Sequence, residues 1–210
     1  MTRVFLASRN AGKLREMERL LRAHVRDVEV LGLDDVEEYD EPAETEPTFE
    51  GNALIKAHSA VLATGLPSLA DDSGLCVDAL NGMPGVLSAR WAGTAKDDRA
   101  NNELLLAQLT DVPDERRGAQ FRCAVAFAFL VDGKVREHRT QGVLPGSIIR
   151  EMRGRGGFGY DVLFVADGHH QTSAELSAEE KDAVSHRGIA LREIAPTVAG
   201  VLSRDHDTPG

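Results

Sequence analysis

The chain has 210 residues, of which 42% are hydrophobic and 28% are charged, a composition typical of one soluble globular domain with one or two lobes. Its formal net charge of -10 argues against a protein that holds nucleic acid by the phosphates, since this requires clustered Lys and Arg. No signal peptide and no apolar run of membrane-spanning length is present, so we expect a cytoplasmic protein without a membrane partner. Both cysteines lie in apolar surroundings without metal-ligand spacing, which predicts reduced core residues.

The first predicted elements are a buried strand and an amphipathic helix, joined by a short polar turn. An apolar run from Thr2 to Ala7 favours the strand, and Asn10 stands as a cap before a helix over 11–21. The turn, Ser8 to Lys13, combines free amides at a helix N-terminus with a lysine in the first turn, which is typical of an anion site. A plain capped helix with a surface lysine has the same pattern, and this segment alone favours that interpretation.

A second strand is predicted over 28–33, and an acidic stretch without apolar periodicity follows it and contains Glu44. The next predicted helix covers 49–63, where Asn52 and Lys56 are four residues apart and therefore share a face. These polar side chains are candidates for a binding site. A solvated surface position is the alternative for each of them.

Two adjacent carboxylates, Asp71 and Asp72, lie between the apolar runs 67–70 and 75–77, which predicts that a strand gives way to a turn at the acids. Because adjacent strand residues point to opposite faces, one acid can face a cleft while the other braces the loop. Carboxylate oxygens are hard ligands that Mg²⁺ prefers, and Mg²⁺ usually takes only one or two of them. Taken alone, the pattern favours an ordinary surface turn, and the remaining motifs reverse that preference.

The middle of the chain predicts structure rather than chemistry. We expect an extended segment over 86–91 and then an amphipathic helix over 97–109, in which no catalytic or binding group is identifiable. Two strands over 121–131 and 135–140 follow. They are joined by Asp132-Gly133, a strong signal for a hairpin.

A glycine-rich segment from Gly154 to Gly159 matches the Gly-x-Gly-x-x-Gly pattern of dinucleotide-binding proteins. That fingerprint must open a helix, whereas this segment leads into a predicted strand over 160–165, so the match is not functional. A flexible loop that carries Phe158 and Tyr160 suits the stacking of a flat base. An aromatic pair that anchors the loop on the core is an equal alternative.

The last helical region opens with a capping box, Ser177-x-x-Glu180. Lys181, His186 and Arg187 fall close together in this region, and a charged helix face is the alternative to a binding role. We expect residues 204–210 to form a disordered tail.

Five segments occur along nearly the whole chain: Ser8-Arg9-Asn10-Ala11-Gly12-Lys13, Thr48-Phe49-Glu50-Gly51-Asn52-Ala53, Ala70-Asp71-Asp72-Ser73-Gly74-Leu75, Gly157-Phe158-Gly159-Tyr160-Asp161 and Ser185-His186-Arg187-Gly188. In this order they resemble the inosine triphosphate pyrophosphatase family, whose members cleave dITP, ITP and XTP to the monophosphate and pyrophosphate. The resemblance implies an α/β fold with an elongated mixed β-sheet flanked by helices. It also implies one domain over 1–203 with two lobes, a nucleotide cleft between the lobes, and a homodimer.

The same resemblance implies roles for individual residues. Glu44 and Asp72 correspond to the ligands of Mg²⁺, and Asp72 also to the base that activates water. The positions that correspond to substrate contacts are Ser8, Arg9, Asn10, Ala11, Gly12, Lys13, Lys56, Ser73, Phe158, Gly159, Tyr160, Asp161, Lys181, His186 and Arg187.

Substrate choice is predicted from hydrogen-bonding groups. Arg187 carries only donors, as does a protonated His186, and these match the C6 keto oxygen of inosine and xanthine better than the amino group of adenine. Two alternatives remain open at this point. One is a regulatory protein that binds a nucleotide without turnover, and the other is a pyrophosphatase of the related septum-inhibition type that acts on pyrimidine or modified nucleotides.

Overall fold

The computed structural model describes residues 2–25 and 28–204. Its strands are β1 (Thr2–Leu6), β2 (Val28–Leu31), β3 (Ser68–Val77), β4 (Gly118–Val131), β5 (Lys134–Ile148) and β6 (Phe164–Ala166). Its helices are α1 (Ala11–His24), α2 (Phe49–Thr64), α3 (Asp98–Gln108), α4 (Ala178–Val184) and α5 (His186–Arg204). In these ranges no helix is both long enough and apolar enough to cross a bilayer.

The six strands form one mixed sheet in the order β2-β1-β3-β4-β5-β6. β1 pairs in parallel with both β2 and β3, whereas β5 and β6 are antiparallel. β4 and β5 are joined by the predicted turn, in which Asp132 and Gly133 have φ angles of 51° and 70°. Positive φ at both positions is what a tight hairpin turn requires. The predicted α/β class with a mixed sheet and helices is confirmed.

The chain divides into two compact units, and the first is drawn from residues up to Asp72, from Cys123–Gly142 and from Arg187 onward. Its core joins strands β1, β3 and β4 to one face each of α1 and α5. The larger buried side chains of this core are Val4, Leu6, Met17, Leu20, Leu21, Leu69, Val125, Phe127, Leu191, Ile194 and Val198. Helix α1 begins where the side chain of Asn10 accepts hydrogen bonds from the amides of Gly12 and Lys13.

The second unit comprises Ser73–Arg122 and Val143–His186 and has a core of its own. The larger buried side chains there are Leu75, Val77, Leu105, Leu109, Phe121, Ile148, Tyr160, Leu163 and Phe164. The rings of Phe121 and Phe164 lie 4.5 Å apart between centroids. Whether the two units are the two lobes of one functional domain stays a prediction.

The prediction that a strand gives way to a turn at the paired acids was wrong. β3 runs through Asp71 and Asp72 without interruption, because buried partners compensate their charges. Just beyond them, a Cβ atom on Gly74 would lie 2.4 Å from the carbonyl oxygen of Gly85 and 2.4 Å from Oγ of Ser88. Only glycine allows this close approach of the strand to the following turn.

Further segments also differ from the sequence predictions, among them β5, which continues to Ile148 beyond the predicted end at residue 140. The segment predicted as extended over 86–91 is a 3₁₀ helix, Gly85–Arg90, because a short apolar run does not distinguish the two conformations. Residues 160–163 form a turn closed by a bond from the amide of Leu163 to the carbonyl of Tyr160, so β6 starts later than predicted. Helix α5 extends to Arg204, and the rest of the predicted tail, residues 205–210, lies outside the described residues.

Arg117 ties the end of α3 to the end of β5 within the second unit. Its guanidinium donates hydrogen bonds to the carbonyl oxygens of Ile148 at 2.8 Å, Leu109 at 2.7 Å and Ile149 at 3.1 Å. The side chain is buried, and burial together with the nearby Arg150 lowers the pKa of Arg117. The favourable hydrogen bonds therefore oppose the cost of burying a charge.

We expect Arg117→Met to destabilise the protein, because methionine fills similar space and leaves three carbonyl oxygens without their donor. Each unsatisfied carbonyl costs about 1–3 kcal/mol, and relief of the buried charge offsets part of this, so the net loss is about 2–4 kcal/mol. The midpoint of chemical denaturation measures the loss. The control is Arg116→Met at the neighbouring exposed position. Equal effects of the two substitutions would contradict a structural role for Arg117.

Candidate active site

The turn between β1 and α1 was predicted to offer free amides to an anion, and the structure corrects this in part. Oδ1 of Asn10 already accepts the amide hydrogens of Gly12 at 2.9 Å and Lys13 at 3.1 Å. The amide of Asn10 in turn donates to Oγ of Ser8 at 3.3 Å. The positive charge available here is therefore mainly that of the Lys13 ammonium rather than that of the backbone.

Asp71 is the centre of a buried ion cluster in the first unit. Its Oδ2 lies 3.0 Å from Nζ of Lys13 and 3.3 Å from Nε of Arg187, and Arg187 also contacts Glu16. Asp71 and Arg187 are each only 1% exposed. Burial alone raises the pKa of a carboxyl, but here the charges of Lys13, Arg187 and Lys56 outweigh it and hold the pKa of Asp71 well below its usual range.

Asp72 has different partners and the opposite electrostatic shift. Its Oδ2 accepts a hydrogen bond from Nδ2 of Asn52 at 3.0 Å, and its Oδ1 lies 4.0 Å from Nζ of Lys56. Burial raises the pKa of Asp72, Glu44 adds to this as a like charge, and the two lysines Lys56 and Lys13 only partly oppose it. The two neighbouring acids thus differ in basicity because they face different surroundings.

Lys56 brings together the two carboxylates that were predicted to bind Mg²⁺. Its ammonium lies 2.9 Å from Oε1 of Glu44, approaches Oδ1 of Asp72 and donates to the carbonyl of Asp71. Burial opposes the charge of Lys56, but Asp71, Asp72 and Glu44 together raise its pKa. The amine therefore stays charged and keeps both carboxylates near one cation.

The carboxylates of Glu44 and Asp72 repel each other, and a divalent cation bound between few protein ligands would offset this repulsion. Within residues 2–25 and 28–204, no group of three or more His, Cys, Asp or Glu side chains is arranged to hold a metal ion. Mg²⁺ does not need such a group, since it takes one or two carboxylates and fills its other positions with water and phosphate oxygens. The donor set of Glu44 and Asp72 therefore fits Mg²⁺.

A second group of predicted residues meets in the other unit, around the glycine-rich loop. Nζ of Lys181 lies 2.6 Å from Oδ2 of Asp161 and 4.7 Å from the centroid of the Phe158 ring. The same Oδ2 accepts the amide hydrogen of Phe158 at 2.9 Å. A Cβ atom on Gly157, whose φ is 70°, would lie 2.1 Å from this oxygen, so the loop requires glycine there.

The structure does not bring every predicted substrate residue to one of these two groups. Arg9 is exposed and pairs with Glu41. His186 stacks on Phe121 with centroids 4.9 Å apart. Tyr160 is buried and donates its hydroxyl to the carbonyl of Ser88 at 2.9 Å, which matches the core-anchoring alternative rather than base stacking.

Sequence reasoning underrated two residues of the first unit. Asn52 is fully buried and holds Asp72, while its Oδ1 accepts the amide hydrogen of Glu46 at 2.9 Å. Its spacing of four from Lys56 was the available signal. Glu16 follows Lys13 by three residues, which places both on one face of α1, but its partner Arg187 is 171 positions away in the chain.

Comparison with known proteins gives concordant matches over nearly the whole chain. Residues 4–197 match the model of the Ham1 family. A protein from Nocardia farcinica named dITP/XTP pyrophosphatase is 59% identical over 205 residues, which cover 97% of this chain and 98% of that protein.

Two solved structures are similar as well. One is a crystal structure from Mycobacterium abscessus titled nucleoside-triphosphatase / dITP/XTP pyrophosphatase. It is 54% identical, with a TM-score of 0.74 over 92% of this chain and 99% of that one. A Ham1 protein from Coxiella burnetii is 40% identical, with a TM-score of 0.83 over 95% of this chain and 100% of that one.

We expect Arg187→Met to destabilise the protein by roughly 3–5 kcal/mol, because it leaves the buried carboxylates of Asp71 and Glu16 without a shared counter-charge. Adding Glu16→Gln to this variant should restore part of the loss, since one uncompensated charge is then removed. Thermal unfolding of the single and double variants measures both effects. The control is Arg15→Met, at an exposed position next to Glu16 in helix α1. A loss no larger than that of the control would contradict the ion cluster.

Proposed function

Since this chain belongs to the Ham1 family, we propose that it hydrolyses dITP, ITP and XTP to the nucleoside monophosphate and pyrophosphate. The observation that carries the proposal is the buried cluster in which Lys13 and Lys56 flank two adjacent carboxylates. Such a cluster combines charge that can oppose phosphate with a base that can activate water. The activity removes deaminated purines from the nucleotide pool, which agrees with the cytoplasmic location expected from the sequence.

The two lysines would bind the triphosphate. Both ammonium groups are largely buried and held by carboxylates, so each is kept at a fixed place rather than moving freely in solvent. Cleavage between the α and β phosphates increases the negative charge on the departing pyrophosphate. Lys13 and Lys56 oppose that charge, and a low local dielectric strengthens their effect.

Asp72 would be the general base. A water molecule attacks the α phosphorus, the bond to the pyrophosphate oxygen breaks, and a carboxylate oxygen of Asp72 takes the proton of the water. The raised pKa of Asp72 makes it a better proton acceptor than Asp71, whose pKa is depressed. Pairs of acids with opposite shifts commonly divide catalytic roles in this way. Asn52 fixes the orientation of the base.

Glu44 and Asp72 would hold Mg²⁺, and when bound this ion supplies positive charge beside the phosphates. Lys56 contacts both carboxylates and limits their repulsion before the ion binds. The protein therefore keeps the two ligands near each other at moderate electrostatic cost.

The half-buried ring of Phe158 would stack on the base, with Lys181 and Asp161 fixing the loop that carries it. Arg187 does not offer its donors freely to the base in this arrangement, because it is 1% exposed and bound to two carboxylates. Recognition of the C6 keto oxygen therefore requires either that the Arg187 side chain rearranges or that another residue supplies the donor.

The family resemblance also predicts a homodimer.

The proposed activity is tested with a panel of ITP, XTP, dITP, GTP, ATP and dTTP in the presence of Mg²⁺, assayed separately for pyrophosphate and orthophosphate. We expect pyrophosphate as the product, ITP and XTP as good substrates, GTP as a poor one and ATP as the poorest purine. A site that pairs with a keto oxygen leaves a donor unpaired against adenine, at about 1–3 kcal/mol, or roughly tenfold to a hundredfold in rate. Preference for dTTP would support the septum-inhibition type instead, and saturable binding without turnover would support the regulatory alternative.

We expect Asp72→Asn to abolish most turnover while leaving the fold intact, because the amide is similar in shape but cannot take a proton. Loss of a general base costs roughly 10²–10⁴-fold in rate, and weaker metal binding adds to this. The measurement is kcat with ITP, together with a thermal unfolding curve. Asp111→Asn at an exposed position serves as the matched control. Retention of more than about a tenth of the wild-type rate in Asp72→Asn would contradict the assignment of the base.

A further inference from the structure

Helix α3 carries a polar face at its N-terminal end that the proposed mechanism has not used. Asp98 is the first residue of the helix, and Asn101 and Asn102 follow one turn later. Both asparagines are buried, at 3% and 2% exposure, whereas Asp98 is exposed. Buried asparagines inside a helix are unfavourable unless their amides have specific hydrogen-bond partners. The partners of these side chains therefore indicate what this face of α3 holds in place.

Two of these side chains hold the same residue of the glycine-rich loop, Gly159. Oδ2 of Asp98 accepts the amide hydrogen of Gly159 at 2.6 Å. Nδ2 of Asn102 donates to the carbonyl oxygen of Gly159 at 2.8 Å and to that of Asp98 at 2.7 Å. Residues four apart on a helix share a face, so α3 holds Gly159 at both its donor and its acceptor.

The third side chain holds the next residue of the loop through a second segment. Asn101 accepts the amide hydrogen of Ala92 at 2.7 Å and donates to the carbonyl of Ala89 at 3.2 Å. The carbonyl of the adjacent Ser88 accepts the hydroxyl hydrogen of Tyr160. Gly159 and Tyr160 are thus both held from one helix, directly and through this short segment.

The held residues are neighbours of the ring that would stack on the base. Gly159 follows Phe158 directly and has a φ of 62°. Because glycine has no Cβ atom, other backbone conformations are nearly as favourable for it unless its peptide groups are held. Phe158 itself is held by two other residues: Oδ2 of Asp161 accepts its amide hydrogen, and Nζ of Lys181 lies over its ring.

We propose that Asp98 and Asn102 are positioning residues that set the affinity for the base of the substrate by holding the loop that carries Phe158. This rests on the proposed function, because it assumes that the ring of Phe158 stacks on a purine. The two residues belong to the second unit, whereas the lysines and carboxylates of the proposed chemistry belong to the first. Their removal should therefore weaken binding of the base and leave the chemical step almost unchanged.

The test is steady-state kinetics with ITP for wild type, Asp98→Ala, Asp98→Asn, Asn102→Ala and the control Glu103→Ala. Glu103 lies in the same helix and pairs with Arg99 on the surface, at 2.8 Å. Binding of inorganic tripolyphosphate, which has no base, is measured by calorimetry on the same proteins. The substitution Asp98→Asn keeps an oxygen that can accept the amide hydrogen of Gly159.

We expect Asp98→Ala and Asn102→Ala to raise KM for ITP about threefold to tenfold, as the loss of one hydrogen bond implies, with little change in kcat. Asp98→Asn and Glu103→Ala should resemble wild type, and the affinity for tripolyphosphate should not change in any variant. Because Asp98 is exposed, substitutions there should not impair folding. The comparison of Asp98→Ala with Asp98→Asn therefore tests the positioning role even if Asn102→Ala folds poorly.

An unchanged KM in Asp98→Ala, or a loss of tripolyphosphate affinity equal to the loss for ITP, would overturn the positioning role and leave the pyrophosphatase activity intact. Failure of the wild-type protein to hydrolyse ITP would overturn the proposed function, and with it this inference. The two failures are therefore distinguished by the wild-type reaction alone.

Discussion

The contact between the Asp71 carboxylate and the cations of Lys13 and Arg187 is the constraint on which the first unit depends. An ionised carboxylate that is 1% exposed is strongly unfavourable unless opposite charges surround it. Here the counter-charges come from α1 and from the start of α5, so one strand residue links three elements that are far apart in the sequence. The same cluster fixes Lys13, the lysine proposed to bind the triphosphate.

Two chemically identical neighbours become different through their surroundings. Asp71 meets cations on its side of the strand, whereas Asp72 meets an amide, a more distant ammonium and a like charge from Glu44. The neighbouring cations consequently hold the pKa of the first carboxyl well below its usual range, whereas burial raises the pKa of the second. Successive side chains of a strand point to opposite faces, and this places Asp71 and Asp72 in different surroundings and gives their carboxyls opposite pKa shifts.

Local signals in the sequence predicted much of the fold. The cap at Asn10 and the hairpin turn at Asp132-Gly133 were found where local chemistry dictates them, and the mixed α/β class was correct. The prediction of a turn at the paired acids failed, and the alternatives for Tyr160 stayed open, because tertiary partners decide both outcomes. The uninterrupted β3 depends on cations that compensate Asp71, and the burial of Tyr160 depends on a carbonyl 72 positions earlier in the chain. Neither partner is visible within a short window of sequence.

Because β3 runs through both acids, the conformational entropy of their backbone is lost during folding rather than during ligand binding. A loop that carried these side chains would have to be ordered each time a ligand arrived, and ordering the backbone of each residue costs about 1–2 kcal/mol. A strand bonded within the sheet meets that entropic cost once, during folding. Asp71 and Asp72 are therefore presented with little reorganisation of the main chain, which is the condition under which fixed charges act most strongly on a transition state.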